Sequence, residues 1–147
     1  MKTITAIVVD PYMRQCRFAQ IPLDRHGSSL DGLYERIGCE TVTIGYRWEN
    51  GSVLWLDDNA LLTDKPETLA MFVIVDKHNR VIAGPFADIG VILGANDEGE
   101  SVSTHMTLDQ VRVGWVKPEA VEQLAQAMID HSGIVTAMLP PEGRDAA

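Results

Sequence analysis

The first nine residues limit what this chain can fold into more than any other stretch. Along an extended backbone Ile4, Ala6 and Val8 fall on one side and Thr5, Ile7 and Val9 on the other, since successive side chains of a strand point to opposite faces. Both faces are largely apolar, which predicts a central strand of a sheet covered on both sides. Asp10-Pro11 stops it, because the residue before proline is pushed out of the helical region and proline offers no ladder donor. Gln15 to Ile21 is the natural return strand, with Cys16, Phe18 and Gln20 on one face and Arg17, Ala19 and Ile21 on the other. Pro22 to Ser28 is polar, contains Gly27 and reads as a loop.

Helical and hairpin signals follow. Leu30, Leu33, Tyr34 and Ile37 have i, i+3, i+4, i+7 spacing, with Ser28 or Ser29 to cap the helix and Gly38 to end it. Cys39 to Tyr46 alternates as a strand, and Asn50-Gly51 turns the chain back into Val53–Leu56. Asp57-Asp-Asn59 closes that strand with side chains that bond their own backbone. Pro66 to Ala70 reads as one helical turn, Met71–Val75 as a buried strand, Lys77 to Arg80 as a turn and Val81–Ala83 as its partner. Gly84-Pro85 is expected to interrupt that pairing, and Ile89–Leu93 supplies another buried strand. Residues 95–104 read as an acidic loop, and Thr107 as the cap of a helix through Val111. A last helix begins at Pro118 with a Val121, Leu124, Ala125, Met128, Ile129 stripe and an end at His131-Ser132-Gly133. Ile134 to Leu139 then reads as an edge strand, and 140–147 as a flexible tail. The pattern predicts an α+β fold: a mainly antiparallel sheet built from hairpins, with two or three helices packed on it, in one domain over 1–139.

Composition removes several function classes. The net charge is −9, and binders of nucleic acid or of membrane surfaces need a basic footprint. The acids are interleaved with arginines such as Arg14, Arg17, Arg25 and Arg36, so the surface does not copy a phosphate lattice either. Two cysteines, Cys16 and Cys39, make neither a disulfide framework nor a metal site and read as small buried hydrophobes. The N-terminus lacks the pattern of a signal peptide, and no stretch approaches the roughly 20 apolar residues of a membrane span. A cytoplasmic protein is expected.

The sharpest catalytic candidate is a pair of His-x-Ser/Thr tripeptides, His26-Gly27-Ser28 and His105-Met106-Thr107. Brought into one cleft, they would supply the base, acid and phosphate-holding hydroxyls of a two-histidine phosphoesterase acting on a cyclic or oligonucleotide. His105-Met-Thr-Leu108 fits that pattern; His26-Gly-Ser-Ser29 has a serine where an apolar residue belongs. Ser28 and Thr107 also have a sufficient structural role as caps. Asp57-Asp58 and Asp97-Glu98-Glu100 lack calcium-loop spacing, so no metal site is expected. Gly84, Gly90 and Gly94 lack the order of a phosphate cradle, and no cofactor is expected. Trp48 and Trp55 flank the Asn50-Gly51 turn and are expected to pair across the hairpin. Exposed instead, Tyr46, Arg47, Trp48 and Trp55 would form a partner-binding hot spot.

One ordered set of segments has a wider likeness. Leu30-Asp-Gly-Leu-Tyr-Glu-Arg-Ile-Gly-Cys39, Glu40–Ile44 and Trp48–Asp58 are followed by Ile82-Ala-Gly-Pro-Phe-Ala-Asp-Ile-Gly-Val-Ile-Leu-Gly94, Asn96–Glu100 and Thr107–Val111. In that order they resemble domain of unknown function 3846, a family of small proteins met mainly in phages, plasmids and other mobile elements. The resemblance covers 30–113; a longer segment over 63–80 around Met71–Val75, the polar loop after the N-terminal hairpin and a C-terminal helix over 118–132 are departures from it. It carries over no catalytic residue. It implies an accessory protein of a phage or plasmid; with no complete catalytic constellation in the chain, the expectation is a non-catalytic module that binds a host or element-encoded protein, such as a component of restriction or CRISPR defence. Self-association through an open sheet edge, and a small-ligand or nucleotide sponge, are the other expectations.

Overall fold

The computed structural model describes residues 2–62 and 65–138, except the side chains of residue 66 and of residues 129–138. Among the described residues nine strands and two α-helices form. The strands are β1 (Thr3–Asp10), β2 (Gln15–Pro22), β3 (Val42–Arg47), β4 (Ser52–Asp57), β5 (Met71–Val75), β6 (Val81–Ala87), β7 (Gly90–Ala95), β8 (Ser101–Val102) and β9 (Val113–Trp115). The helices are α1 (Leu30–Ile37) and α2 (Pro118–Met138). All strand pairs are antiparallel, so the expected α+β class with a mainly antiparallel sheet is what the chain adopts.

The strands form two sheets. The larger runs β2-β1-β7-β4-β3, with β8 pairing Gly94 and Ala95 of β7, past the residues that β1 pairs. The smaller runs β6-β5-β9. The two-sided apolar pattern of β1 has the predicted consequence. Ile7 and Val9 enter a cluster with Leu54, Leu56, Ile92, Phe72 and Ile74 between the two sheets, while Ala6 and Val8 meet Val91, Leu93, Leu33 and Ile37 beneath α1. The larger sheet is thus the middle layer, with α1 on one face and the small sheet on the other. A third cluster joins Met71 and Ala87 to Val121, with Leu124 and Met128 of α2 packed against it.

Helix α1 ends as its sequence predicts: Gly38 takes a left-handed φ of 81°, and its N–H and that of Cys39 both donate to the Tyr34 carbonyl. Three of the loops share a single construction. In Asp24–Ser28, Asp76–Arg80 and Asn96–Glu100 the first side chain's Oδ1 accepts from the backbone N–H two and four residues on. Gly27, Asn79 and Gly99 take the left-handed position in them. The Trp48–Ser52 turn is related: Gly51 is left-handed and the Ser52 N–H donates to Asn50 Oδ1.

Five expectations need correction. Gly84-Pro85 interrupts the ladder on β5 as expected, with a register shift between Phe86 and Ala83, but the strand does not end at Ala83 and continues to Ala87. The segment after Thr107 is a single 3-10 turn, Leu108–Gln110, rather than an α-helix, so the α-helices number two. The loop 95–104 contains the short strand β8, and Val113–Trp115 pairs with β5, where no strand is expected from its three residues. Helix α2 does not end at 131–133 but runs on to Met138, which replaces the edge strand expected at 134–138. Ser132 and Gly133 lower helix propensity without forbidding helix, unlike proline. Leu139 and the expected tail at 140–147 lie outside the described residues.

Candidate functional site

Hairpin β3–β4 distributes the aromatic candidates over two faces. Ile44 is opposite Trp55 and Tyr46 is opposite Leu54, with a bulge at Gly45 between them. Tyr46 and Trp48 pack against the cluster between the sheets and meet edge-to-face, ring centroids 5.0 Å apart. Trp55 packs on the α1 side of the same sheet. Trp48 and Trp55 therefore do not pair across the hairpin, because residues of alternate parity in one strand pair lie on opposite faces. Arg47 is exposed, whereas the three rings are half-buried, so the four side chains do not make one exposed patch.

The two His-x-Ser/Thr tripeptides are also separated. His26 and Ser28 line a cleft of about 340 Å³ at the start of α1, together with Ser29, Leu33, Trp55 and Glu100. His105 and Thr107 are not among its lining residues. The segment before them is stitched to the middle layer: Thr5 N–H donates to Ser103 Oγ, Ser52 and Thr104 share a buried hydroxyl contact of 2.9 Å, and Met106 N–H donates to Thr104 Oγ1. Met106 then enters the cluster between the sheets, on the face opposite α1, and leaves His105 exposed. Thr107 opens the 3-10 turn, its N–H donating to Gln110 Oε1.

In the cleft, Ser28 Oγ accepts from the Leu30 N–H, so the serine that closes the entry to α1 is not the N-cap residue. Ser29, the N-cap, has φ −94° and ψ −4° and makes no side-chain cap bond, since the usual cap conformation is extended. Glu100 Oε1 accepts from Asn96 Nδ2 at 3.0 Å.

A second feature was hidden in the sequence. Tyr12 and Met13, at the β1–β2 turn, are 46% and 68% exposed, and Phe18 on the outer strand β2 is 52% exposed. Phe18 lies opposite Ile7 and so shares its face, past the area that the small sheet covers. Asp10 shapes the turn, its Oδ1 accepting from the N–H groups of Tyr12 and Met13 and its Oδ2 pairing with Arg17 at 3.1 Å. The Tyr12 hydroxyl donates to Asp88; burial and the Asp88 carboxylate push the phenol up to about 12. Burial likewise raises Asp88, although Tyr12 bonds to it. Alternation placed Phe18 on a face correctly, but only the width of the covering sheet decides that this face is bare.

The cysteines are poor nucleophiles: burial pushes the Cys16 thiol up to about 11, and burial with the Asp57 charge raises Cys39. Among the described residues no three His, Cys, Asp or Glu side chains gather to hold a metal ion, and no helix is long and apolar enough to cross a membrane.

The antiparallel α+β architecture, with its middle sheet between a helix and a smaller sheet, defines the class of protein. Residues 2–113 match the family model described as Domain of unknown function (DUF3846), and the chain belongs to that family. The match takes in the N-terminal hairpin, which lies outside the segments that suggested the likeness, and stops short of α2. Comparison with curated proteins and with solved structures gave no match.

Proposed function

We propose that this is a non-catalytic binding module that docks on another protein through the β1–β2 turn and the outer strand β2. The observation that carries the reading is the exposure of Met13 and Phe18, with half of Tyr12, beside a strand edge that no other strand covers among the described residues. Large apolar and aromatic side chains held on a rigid sheet are the anchors that protein interfaces use, and an outer strand offers free backbone donors and acceptors to a partner. Arg17 and Asp10 fix the turn, so little order has to be gained on binding. In the mobile-element setting that the family resemblance implies, the partner is a host or element-encoded protein, with restriction and CRISPR components first among them. The same edge could join two copies of the chain.

The test is capture by the full chain carrying a photo-crosslinker at Gln20, an exposed β2 residue on the same face as Phe18, in cells of the organism that encodes it. One partner is expected at high yield, and Met13→Lys with Phe18→Lys should reduce its capture at least tenfold while the melting temperature stays unchanged. Val81→Lys, on the outer strand of the small sheet, should leave capture intact. Equal capture by the β2 variant would overturn the assignment of the surface, and no crosslinked partner in any setting would overturn the reading.

A further inference from the structure

The cleft at the start of α1 lies on the other side of the middle sheet from the β2 strip, and the docking reading makes no use of it. Its lining contains two polar groups that the fold leaves unused. Ser29 is 6% exposed, yet among the described residues its hydroxyl has no hydrogen-bond partner, and its helical backbone angles keep it from capping α1. The indole N–H of Trp55 likewise has no partner among the described residues. Buried polar groups are nearly always satisfied, and one left over at a cavity wall points to something that binds there. A cleft of about 340 Å³ is within the range of small-molecule sites.

From these observations we infer that the cleft binds an uncharged planar heterocycle carrying both N–H and carbonyl or ring-nitrogen groups, namely the base of a nucleoside. The charge around the site argues for a neutral ligand. The positive end of α1 and the His26 imidazole face the cleft, and so does the Glu100 carboxylate, so neither a phosphate nor an ammonium group finds an uncompensated counter-charge. Leu30, 44% exposed on the cleft wall, offers apolar surface against which the face of a base packs. Ser29 Oγ can donate or accept and Trp55 Nε1 donates, while the free oxygen of Glu100 accepts. Together they complement a base edge that mixes donors and acceptors. Ser28 Oγ and Glu100 Oε1 are already engaged within the loops that form the walls, which holds the cleft open in advance of binding.

The experiment is an NMR titration of the intact protein with adenosine, guanosine, cytidine and uridine, then with their 5′-monophosphates and inorganic phosphate. The Trp55 Nε1–H signal, assigned with Trp55→Phe, is followed with the amides of residues 28–33 and 99–101. At least one nucleoside should saturate these shifts below millimolar concentration, with its monophosphate no tighter. Ser29→Ala should weaken binding about three- to tenfold with the melting temperature unchanged. Trp55→Phe, which keeps a ring but removes the donor, should weaken it to a similar degree. No saturable shift for any nucleoside would overturn the inference. So would binding insensitive to Ser29→Ala, or inorganic phosphate producing the same shifts and displacing the nucleoside.

Discussion

Asp88 holds an unfavourable position for a charge. It occupies the turn between β6 and β7 with a left-handed φ of 72°, partly buried, with the Asp57 and Asp10 carboxylates near enough to raise it further. The hydrogen bond from Tyr12 opposes this but does not reverse it. A carboxyl raised in the folded state supports the fold while it is protonated in both states, below its unfolded value. It loses that support as pH climbs through the folded value. Asp88→Asn, which tolerates the left-handed backbone and still accepts from Tyr12, should therefore melt higher than the wild type at pH 7, with the gap closing near pH 3. Melting curves at pH 3, 5 and 7 decide it, and a wild type that melts as high as the variant at pH 7 would contradict it. Tyr12→Phe removes the opposing bond and should cost about 1 kcal/mol at neutral pH, read from urea unfolding. None of this network was legible beforehand: Asp10, Tyr12 and Asp88 are ordinary turn residues in the sequence, and only the meeting of two distant turns couples them.

At the scale of elements, the local signals that succeeded are those whose chemistry is satisfied within a few residues. Gly38 ending α1, Asp57 closing β4 through its bond from the Asn59 N–H, and Pro118 opening α2 need no tertiary partner. The failures need one. The three residues of β9 form a strand because β5 is there to pair with them, and β6 passes through Gly84-Pro85 because the bulged ladder on β5 holds it. Two substitutions probe this level. Gly45 lies where the β3 bulge meets the small sheet, and a Cβ there would collide with Leu56 and crowd Phe86. Gly45→Ala should therefore destabilise by about 1–3 kcal/mol, measured by chemical denaturation. Asn96→Ala removes the acceptor of two backbone N–H groups and the donor to Glu100, and should cost about 1–2 kcal/mol while leaving the other loops of the same construction unchanged in amide exchange.

At the scale of the molecule, the pattern of β1 made the three layers foreseeable in kind but not in arrangement. Apolar residues on both faces require two covers, and they do not say that a second sheet supplies one and an eight-residue helix the other. That choice follows from Phe72 and Ile74, which leave β5 on the face toward Ile7, Leu54 and Ile92. Because those side chains belong to strands of both sheets, neither sheet can lose its partner without exposing the other's apolar face. Unfolding is thus expected as one transition, with far-UV dichroism and tryptophan emission superimposing; Trp48 and Trp115 report from between the sheets and Trp55 from beneath α1. Ile74→Val should lower the midpoint of both probes together by an amount equivalent to about 0.5–1.5 kcal/mol. A variant that shifts the dichroism while the emission of Trp55 holds its wild-type midpoint would mean that the middle sheet keeps its helix without the small sheet. The cluster that contains Phe72 would then be a docking contact between two units rather than the interior of one.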